Sequence, residues 1–348
     1  ERVCVMFAVI DCGTTMTRIY LVNDQKEIVR TRKGGVRDTS ITGSRDKLRN
    51  GVTELFFEIL REHQIPADQV AFAIASGMIT SEVGLIEIPH LVAPAGLPEL
   101  SDGILEVADQ SVLPLGRPVY FIRGVRNRYP EPVRAQNLRQ VDFMRGEEVQ
   151  CIGIMNQYSL PYPCNLVALS SHTKIMYINE ARQIEASATT ISGQFYEAMV
   201  SSTNIGKSIV PVEGEEAGGY GYEELIEIAA DSCIMPTGRT MLMPRFLQVL
   251  MKTNSSERQI FVDAAIAADD LKAFHEMRSQ GYHSDFYLLY GHESRCRMYT
   301  CMLKKEFGRQ LEIKSVHSKE DLDRMTVDGS IAVALERIQR GKSLERMM

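Results

Sequence analysis

Asp11 closes an apolar run, Phe7-Ala8-Val9-Ile10, and is followed by Cys12, Gly13, Thr14 and Thr15, with Arg18 three residues further on. A carboxylate at the end of a buried strand can hold Mg²⁺ through water, because that ion keeps most of its hydration and takes few protein oxygens. The Gly13-Thr14-Thr15 turn can offer hydroxyls and N–H groups to a phosphoryl group, and its glycine lets backbone approach a ligand. Arg18 can neutralise charge that develops on a phosphoryl group during transfer. Asp11 could equally do no more than accept N–H bonds within its own turn. A second copy of the pattern downstream favours chemistry. There, Leu166-Val167-Ala168-Leu169 leads into Ser170, Ser171, His172, Thr173 and Lys174. At an offset of 156 residues, Lys174 takes the place of Arg18, Asn179 that of Asn23 and Ile184 that of Ile28. Ser170, Ser171, His172, Thr173 and Lys174 could cradle the β- and γ-phosphates of a nucleotide. An ordinary hairpin with a polar tip would read the same way.

Three further stretches carry candidate groups. Met144-Arg145-Gly146-Glu147-Glu148 precedes an apolar helical run. Two acids at a helix start complement the macrodipole in any protein. One of them could instead accept the proton of a substrate hydroxyl as it attacks a phosphate. Spacing alone favours the first reading. Ser76-Gly77-Met78 ends the short apolar strand Val70–Ala75, and ligands in open α/β sheets collect at such carboxyl ends. Tyr290-Gly291-His292-Glu293-Ser294 joins a strand to a helix, which suits an anion or a nucleotide but also any strand–helix turn. The glycines of Gly214–Gly221 lack both the Walker lysine and the G-x-G-x-x-G spacing, and read as a loop. His63, His90, His275, His283 and His317 have no metal-ligand spacing.

These groups need strands to deliver them. A meander of three strands (about 3–12, 16–23 and 26–33) opens the chain, then a loop from Gly34 to Ser44, then a helix with an apolar face through Leu48, Val52, Leu55, Phe56 and Ile59. A helix is predicted near Glu99–Gln110, a strand at Pro118–Arg123 and a helix over Val141–Tyr158. The second meander occupies about 164–192. Beyond it helices are predicted at about 193–203, 221–232, 239–252, 256–279, 294–307 and 326–340, with strands at Phe286–Tyr290 and Leu311–Val316. Two copies of one strand–turn–strand unit imply an α/β chain with two related lobes facing a nucleotide, a plan that resembles the actin-like ATPases (ribonuclease H-like fold). The expected division is 1–140 and 141–348, with helix 326–340 packing back toward the first lobe.

The 348 residues suffice for two cores, and 44% hydrophobic with 24% charged residues is the balance of a globular protein. A net charge of −6 argues against nucleic acid as partner, although six arginines lie between Arg117 and Arg139. No apolar run reaches the roughly 18 residues that a membrane span needs. The first ten residues read as a strand rather than a secretory signal. The seven cysteines lack a C-x-x-C pair and read as thiols in a reducing compartment.

Taken in order, the motifs resemble the 2-dehydro-3-deoxygalactonokinase family of sugar-acid kinases. Ile10-Asp11-Cys12-Gly13-Thr14-Thr15 with Arg18 matches I-D-W-G-S/T-T followed by Arg. Ala75-Ser76-Gly77-Met78-Ile79-Thr80-Ser81 resembles the family's A-G-M-V-G-S block. Met144–Gly153 reads M-R-G-E-E-V-Q-C-I-G against M-R-G-E-E-T-Q-L-I-G, the most specific block. His172-x-Lys174 and Thr190-Ile191-Ser192-Gly193 follow in register. The departures are Cys12 for tryptophan, Leu169-Ser170-Ser171 for Pro-Gly-Thr, and Gly291-His292-Glu293 for Gly-Thr-Ser; the stretch 114–139 reads as an insertion.

The resemblance implies the actin-like fold and a cytoplasmic kinase that moves a phosphoryl group from ATP, with Mg²⁺, to 2-dehydro-3-deoxygalactonate or a related acidic sugar. It implies Glu147 as general base, with Asp11 and Arg18 also catalytic and Asp11 serving the metal. Ser76, Gly77, Met78, Ser81, Arg145 and Glu148 would meet the sugar acid. Gly13, Thr14, Thr15, Ser170, Ser171, His172, Thr173, Lys174 and Gly291 would meet the nucleotide. No nucleic acid or membrane partner is implied, and a homodimer is left open. The alternative is a weak or inactive relative that binds a sugar acid or a nucleotide.

Overall fold

The computed structural model describes residues 6–14, 16–23, 27–33, 35–215 and 218–347. The opening apolar runs form β1 (Met6–Cys12), β2 (Met16–Val22) and β3 (Glu27–Lys33), an antiparallel meander in which Asp11 faces Arg18. The expected loop before the first long helix contains a short helix, α1 (Arg37–Thr42), too brief for a periodic pattern to show. In α2 (Asp46–Glu62) the 3–4 spacing buries Leu48, Val52, Leu55, Phe56, Ile59 and Leu60. They pack with Ile10, Leu21, Ala75 and Phe121 in one core.

Strand β4 (Val70–Gly77) runs parallel to β1, so Ser76 pairs with Asp11 and Gly77 with Cys12. Two polar turns thus leave the same end of one sheet. Beyond β4 come β5 (Leu91–Val92), α3 (Leu97–Asp102), β6 (Leu105–Val107), β7 (Val119–Phe121), β8 (Val125–Arg126), β9 (Phe143–Met144) and α4 (Glu147–Gln157). The helix expected over Glu99–Gln110 therefore stops at Gly103 and yields to β6. The arginine-rich stretch read as an insertion supplies β7 and β8 to the sheets. Strand order is β3-β2-β1-β4-β7-β6 in the larger sheet and β5-β8-β9 in a small one. Pairing of Phe143 and Met144 with Arg126 and Val125 holds that segment extended, so α4 starts later than Val141.

The second meander consists of β10 (Cys164–Leu169), β11 (Thr173–Ile178) and β12 (Ile184–Thr190). Then follow α5 (Ser192–Ser202), α6 (Gly206–Ile209), α7 (Tyr222–Ser232), α8 (Thr237–Thr240), α9 (Met243–Val249), α10 (Ser255–Ser279), β13 (Phe286–Gly291), α11 (Glu293–Phe307), β14 (Glu312–Val316) and α12 (Lys319–Met347). The single helix predicted over 239–252 is two, because Pro244 cannot donate an N–H and so starts a new one. The second sheet has the order β12-β11-β10-β13-β14, with β13 parallel to both neighbours. Asn254 and Glu257 cap α10 reciprocally, each side chain accepting from the other's main-chain N–H at 2.8 Å.

Two compact units result. The first comprises the chain up to Tyr162, Ile178–Ala186 and everything from Glu320; the second comprises Pro163–Tyr177 and Ser187–Lys319. Residues 141–162, which the sequence places in a second lobe, lie in the first unit, and so does α12. The cause is a crossing of α4 and α12 at glycine. A Cβ on Gly153 would lie 1.9 Å from the Met325 carbonyl oxygen, and one on Gly329 would lie 1.8 Å from that of Val149. Gln157 Nε2 donates to Asp328 Oδ2 at 2.8 Å across the same crossing. Tyr20 Oη on β2 donates to Asp323 Oδ1 at 2.9 Å, which fixes the start of α12 against the first sheet. Among the described residues no helix is long and apolar enough to cross a membrane.

Candidate active site

In the first unit the site grows from the ends of β1 and β4. Arg18 Nη1 donates to Asp11 Oδ2 at 3.1 Å, and the acid is half-buried. Burial pushes the Asp11 carboxyl above its usual range; Arg18 pulls it back, while Glu147 and Asp323 push it further up. The Gly13 N–H donates to the Met16 carbonyl at 2.9 Å and closes the first turn, at whose exposed tip Thr14 sits. Thr15 lies outside the described residues.

At the end of β4, Gly77 has φ +87°, and a Cβ there would come within 2.5 Å of the Cys12 carbonyl oxygen. Only glycine meets both demands. The chain then turns through Met78, with Thr80 Oγ1 donating to the Gly77 carbonyl at 3.0 Å and Ser81 Oγ to that of Met78 at 2.7 Å. Arg145 reaches this turn from just before α4. Its guanidinium donates to Thr80 Oγ1 at 2.8 Å and to the Ile88 carbonyl at 2.7 Å, both neutral partners. Gly146 comes so close to Gly77 that a Cβ on it would lie 3.6 Å from the Gly77 Cα.

Glu147 is half-buried in the first turn of α4, and Glu148 is fully buried. Glu148 Oε2 accepts the Gly146 N–H at 2.7 Å, while Oε1 is buried without a hydrogen-bond partner. Burial, and then the neighbouring Glu147, push the Glu148 carboxyl up to about 8. Ser76 Oγ is a second buried atom without a partner. Unpartnered buried oxygens are costly, so a ligand that satisfied them would bind well.

Among the described residues no cluster of three metal-ligating side chains exists. The donor set nonetheless fits Mg²⁺, which needs one or two carboxylates with water and substrate phosphate. Asp11, paired with Arg18 and with Glu147 and Asp323 nearby, supplies one such carboxylate.

In the second unit, the β10–β11 turn borders a cavity of about 530 Å³. Ser170 and Ser171 line it with Gly193, Asp263, Arg295 and Tyr299. Ser171 Oγ lies 3.0 Å from His172 Nδ1. The turn is gripped by backbone on both sides: a Cβ on Gly193 would lie 2.3 Å from the Ser170 carbonyl oxygen, and one on Gly291 2.1 Å from that of Leu169. Thr173 Oγ1 sits 3.0 Å from Tyr299 Oη, which donates to the buried Asp270. Asp270 also accepts from Ser192 Oγ at 2.6 Å. Lys174 turns into the sheet, its Nζ donating to Thr189 Oγ1 at 2.8 Å. At the 156-residue offset Asp11 corresponds to Val167, so the acid–base pair of the first hairpin is not repeated.

Sequence reasoning thus identifies residues that do meet in each unit. Asp11, Arg18, Ser76, Gly77, Met78, Ser81, Arg145, Glu147 and Glu148 gather in the first, and Ser170 to Thr173 with Gly291 in the second. It does not single out Asp270, Arg295 or Tyr299, which bond to one another or to the second turn. Arg295 and Tyr299 stand four apart on α11 just after Gly291, a spacing that puts both on the face toward that turn.

A profile of the 2-keto-3-deoxy-galactonokinase family matches residues 11–324. The chain belongs to that family. It is a phosphotransferase of the kinase type. A solved structure from Sinorhizobium meliloti, provisionally named a 2-dehydro-3-deoxygalactonokinase, superposes with a TM-score of 0.71 at 17% identity, over 94% of this chain and 95% of its own. A reductive activator for a corrinoid, iron–sulfur protein superposes at 0.53 with 12% identity, over 99% of this chain and 63% of its own. None of the curated proteins matches. The fold is the α/β fold of the actin-like ATPases.

Proposed function

We propose that this galactonokinase-family protein transfers the γ-phosphoryl group of ATP, with Mg²⁺, to a hydroxyl of 2-dehydro-3-deoxygalactonate or a closely related acidic sugar. The observation that carries this reading is Arg145. It is a half-buried cation that among the described residues bonds Thr80 Oγ1, the Ile88 carbonyl and His90 Nδ1 and no carboxylate, beside the Gly77–Ser81 turn and the start of α4. Such a guanidinium is free to receive a sugar carboxylate by its charge, with bidentate geometry. Ser76, Met78 and Ser81 would position the sugar, and Glu148 would satisfy its unpartnered oxygen on a hydroxyl.

Glu147 would take the proton of the attacking hydroxyl. Asp11 would hold the metal, which supplies electrostatic relief to the transferred group when bound, and Arg18 would stabilise charge on that group. In the second unit, the turns at Ser170–Lys174 and Gly291 would serve the nucleotide's phosphates; in the first, the Gly13–Thr15 turn is the phosphate candidate. Acidic sugars assayed with Mg-ATP for release of ADP test the reading. Turnover with a 2-keto-3-deoxy sugar acid, absent with neutral hexoses, supports it. Binding of sugar acid and nucleotide without turnover would instead identify a binding relative, a reading that the loss of glycine at Ser170-Ser171 favours.

A further inference from the structure

We infer that Arg295, on the first turn of α11, is the cation that receives the nucleotide's phosphates at the second hairpin, in place of the glycine turn that Leu169-Ser170-Ser171 lacks. The inference rests on the ATP reading above and concerns how this chain meets that ligand.

The geometry is specific. The guanidinium donates to the Ser170 carbonyl, to Thr173 Oγ1 at 2.8 Å and to Tyr299 Oη at 3.2 Å, with its carbon 5.5 Å from the Tyr299 ring centroid. Tyr299 is itself pinned by Asp270, so the arginine is held by a network whose members come from β11, α10 and α11. Every hydrogen-bond partner of Arg295 among the described residues is neutral. The nearby acid, Asp263, also lines the cavity but makes no ion pair with it among the described residues, and burial raises the Asp263 carboxyl to about 6 even with the arginine near. A rigid, half-buried guanidinium without an anionic partner, facing a cavity large enough for a nucleotide, is built to take an anion.

A glycine turn admits phosphate by letting backbone N–H groups approach it. Here side chains occupy that turn, and the close approaches have moved to Gly193 and Gly291, which pack on its carbonyls. The turn is rigid, but its serines fill space that glycine would leave open. A long side chain reaching in from α11 restores positive charge without requiring that approach.

The test is calorimetric titration of ADP into wild type, Arg295→Gln and Arg295→Lys, with thermal melts to confirm folding. Glutamine keeps a donor toward Ser170 and Thr173 but removes the charge; lysine keeps the charge and loses the fork. ADP affinity should fall roughly 10- to 100-fold in the glutamine variant, as for loss of a charged hydrogen bond, and lysine should recover part of it. Glutamine equal to wild type, or lysine no better than glutamine, overturns the inference. Wild type that binds neither ADP nor ATP at millimolar concentration overturns the ATP reading itself. Should a variant fail to fold, wild type labelled with an arginine-specific dicarbonyl serves instead: ADP should protect Arg295, and unprotected labelling in the presence of bound ADP overturns the inference.

Discussion

Asp11 and Arg18 are ladder partners across β1 and β2, and they are also an ion pair of 3.1 Å. Direct cross-strand pairing keeps the arginine on one face with the acid, so the pair is set by register rather than by loop conformation. Arg18 works against burial, Glu147 and Asp323, all of which favour the protonated form of Asp11. Arg18→Met should therefore raise the Asp11 carboxyl further, and the acid limb of the kcat profile should move to higher pH. Turnover at neutral pH should fall roughly 100-fold, as for loss of one transition-state donor. A pH–rate series with Mg-ATP and the sugar acid checks both, and an unmoved acid limb would remove Arg18 from control of Asp11.

Glu147 sits at the first position of α4, half-exposed, whereas Glu148 beside it is sealed beneath the helix start. The more exposed of the two is the better placed to meet the attacking hydroxyl. Glu147→Ala is expected to lower kcat about 100- to 10,000-fold, the range for a positioned base, with the affinity for ATP changed less than twofold. Single-turnover kinetics and calorimetry on the same preparation separate the two effects. Retained transfer in the variant would show that another group takes the proton.

Glu148 leads to a prediction about stability. Its folded value of about 8 lies above the ordinary 4.5, so between those limits the folded state binds a proton that the unfolded state has lost. Stability must then fall as pH rises through that window, by at most about 1.4 kcal/mol per pH unit, and level off above it. Glu148→Gln keeps an acceptor for the Gly146 N–H and carries no charge to desolvate. Its melting temperature should equal wild type near pH 5 and exceed it at pH 8. Parallel curves across that range would mean that Glu148 stays ionised.

Much of this was readable from residues alone, for definable reasons. The 156-residue repeat is legible because each meander opens with an apolar, mostly buried strand that runs into a short polar turn; β1 to β3 recur as β10 to β12. Asp11, Gly77 and Glu147 stand beside backbone features that few residues tolerate, so their neighbourhoods carry a pattern. The α4–α12 crossing is not legible, because Gly153 and Gly329 lie 176 residues apart inside ordinary helical runs. Nor is the bond from Tyr299 to Asp270, which joins α11 to α10; only the four-residue spacing of Arg295 and Tyr299 within α11 is local. Short elements such as α1 and β6 fail for a simpler reason: six residues or fewer do not complete two turns of a helix or a clear alternation.

The crossing itself makes the last prediction. Helix α4 carries Glu147 and Glu148, and its position against α12 is set where Gly153 and Gly329 let the two backbones touch. A methyl group at either site would overlap a carbonyl oxygen, Met325 at 1.9 Å or Val149 at 1.8 Å, so the helices must separate. Gly153→Ala and Gly329→Ala should each cost about 1–3 kcal/mol, the range for overpacking, despite the better helix propensity of alanine. Gly238→Ala, where a Cβ meets nothing within 4 Å, is the control and should be neutral or slightly stabilising. Because the strain pushes apart the same two helices, Gly153→Ala with Gly329→Ala should cost less than the sum of the single changes. Each single variant should also lose turnover at temperatures where it remains folded, since a shift of about 1 Å in α4 displaces the base from its attacking hydroxyl. Urea titrations give the stability terms and kcat gives the displacement. Full additivity with unchanged kcat would mean that α4 is positioned from the β4 side alone.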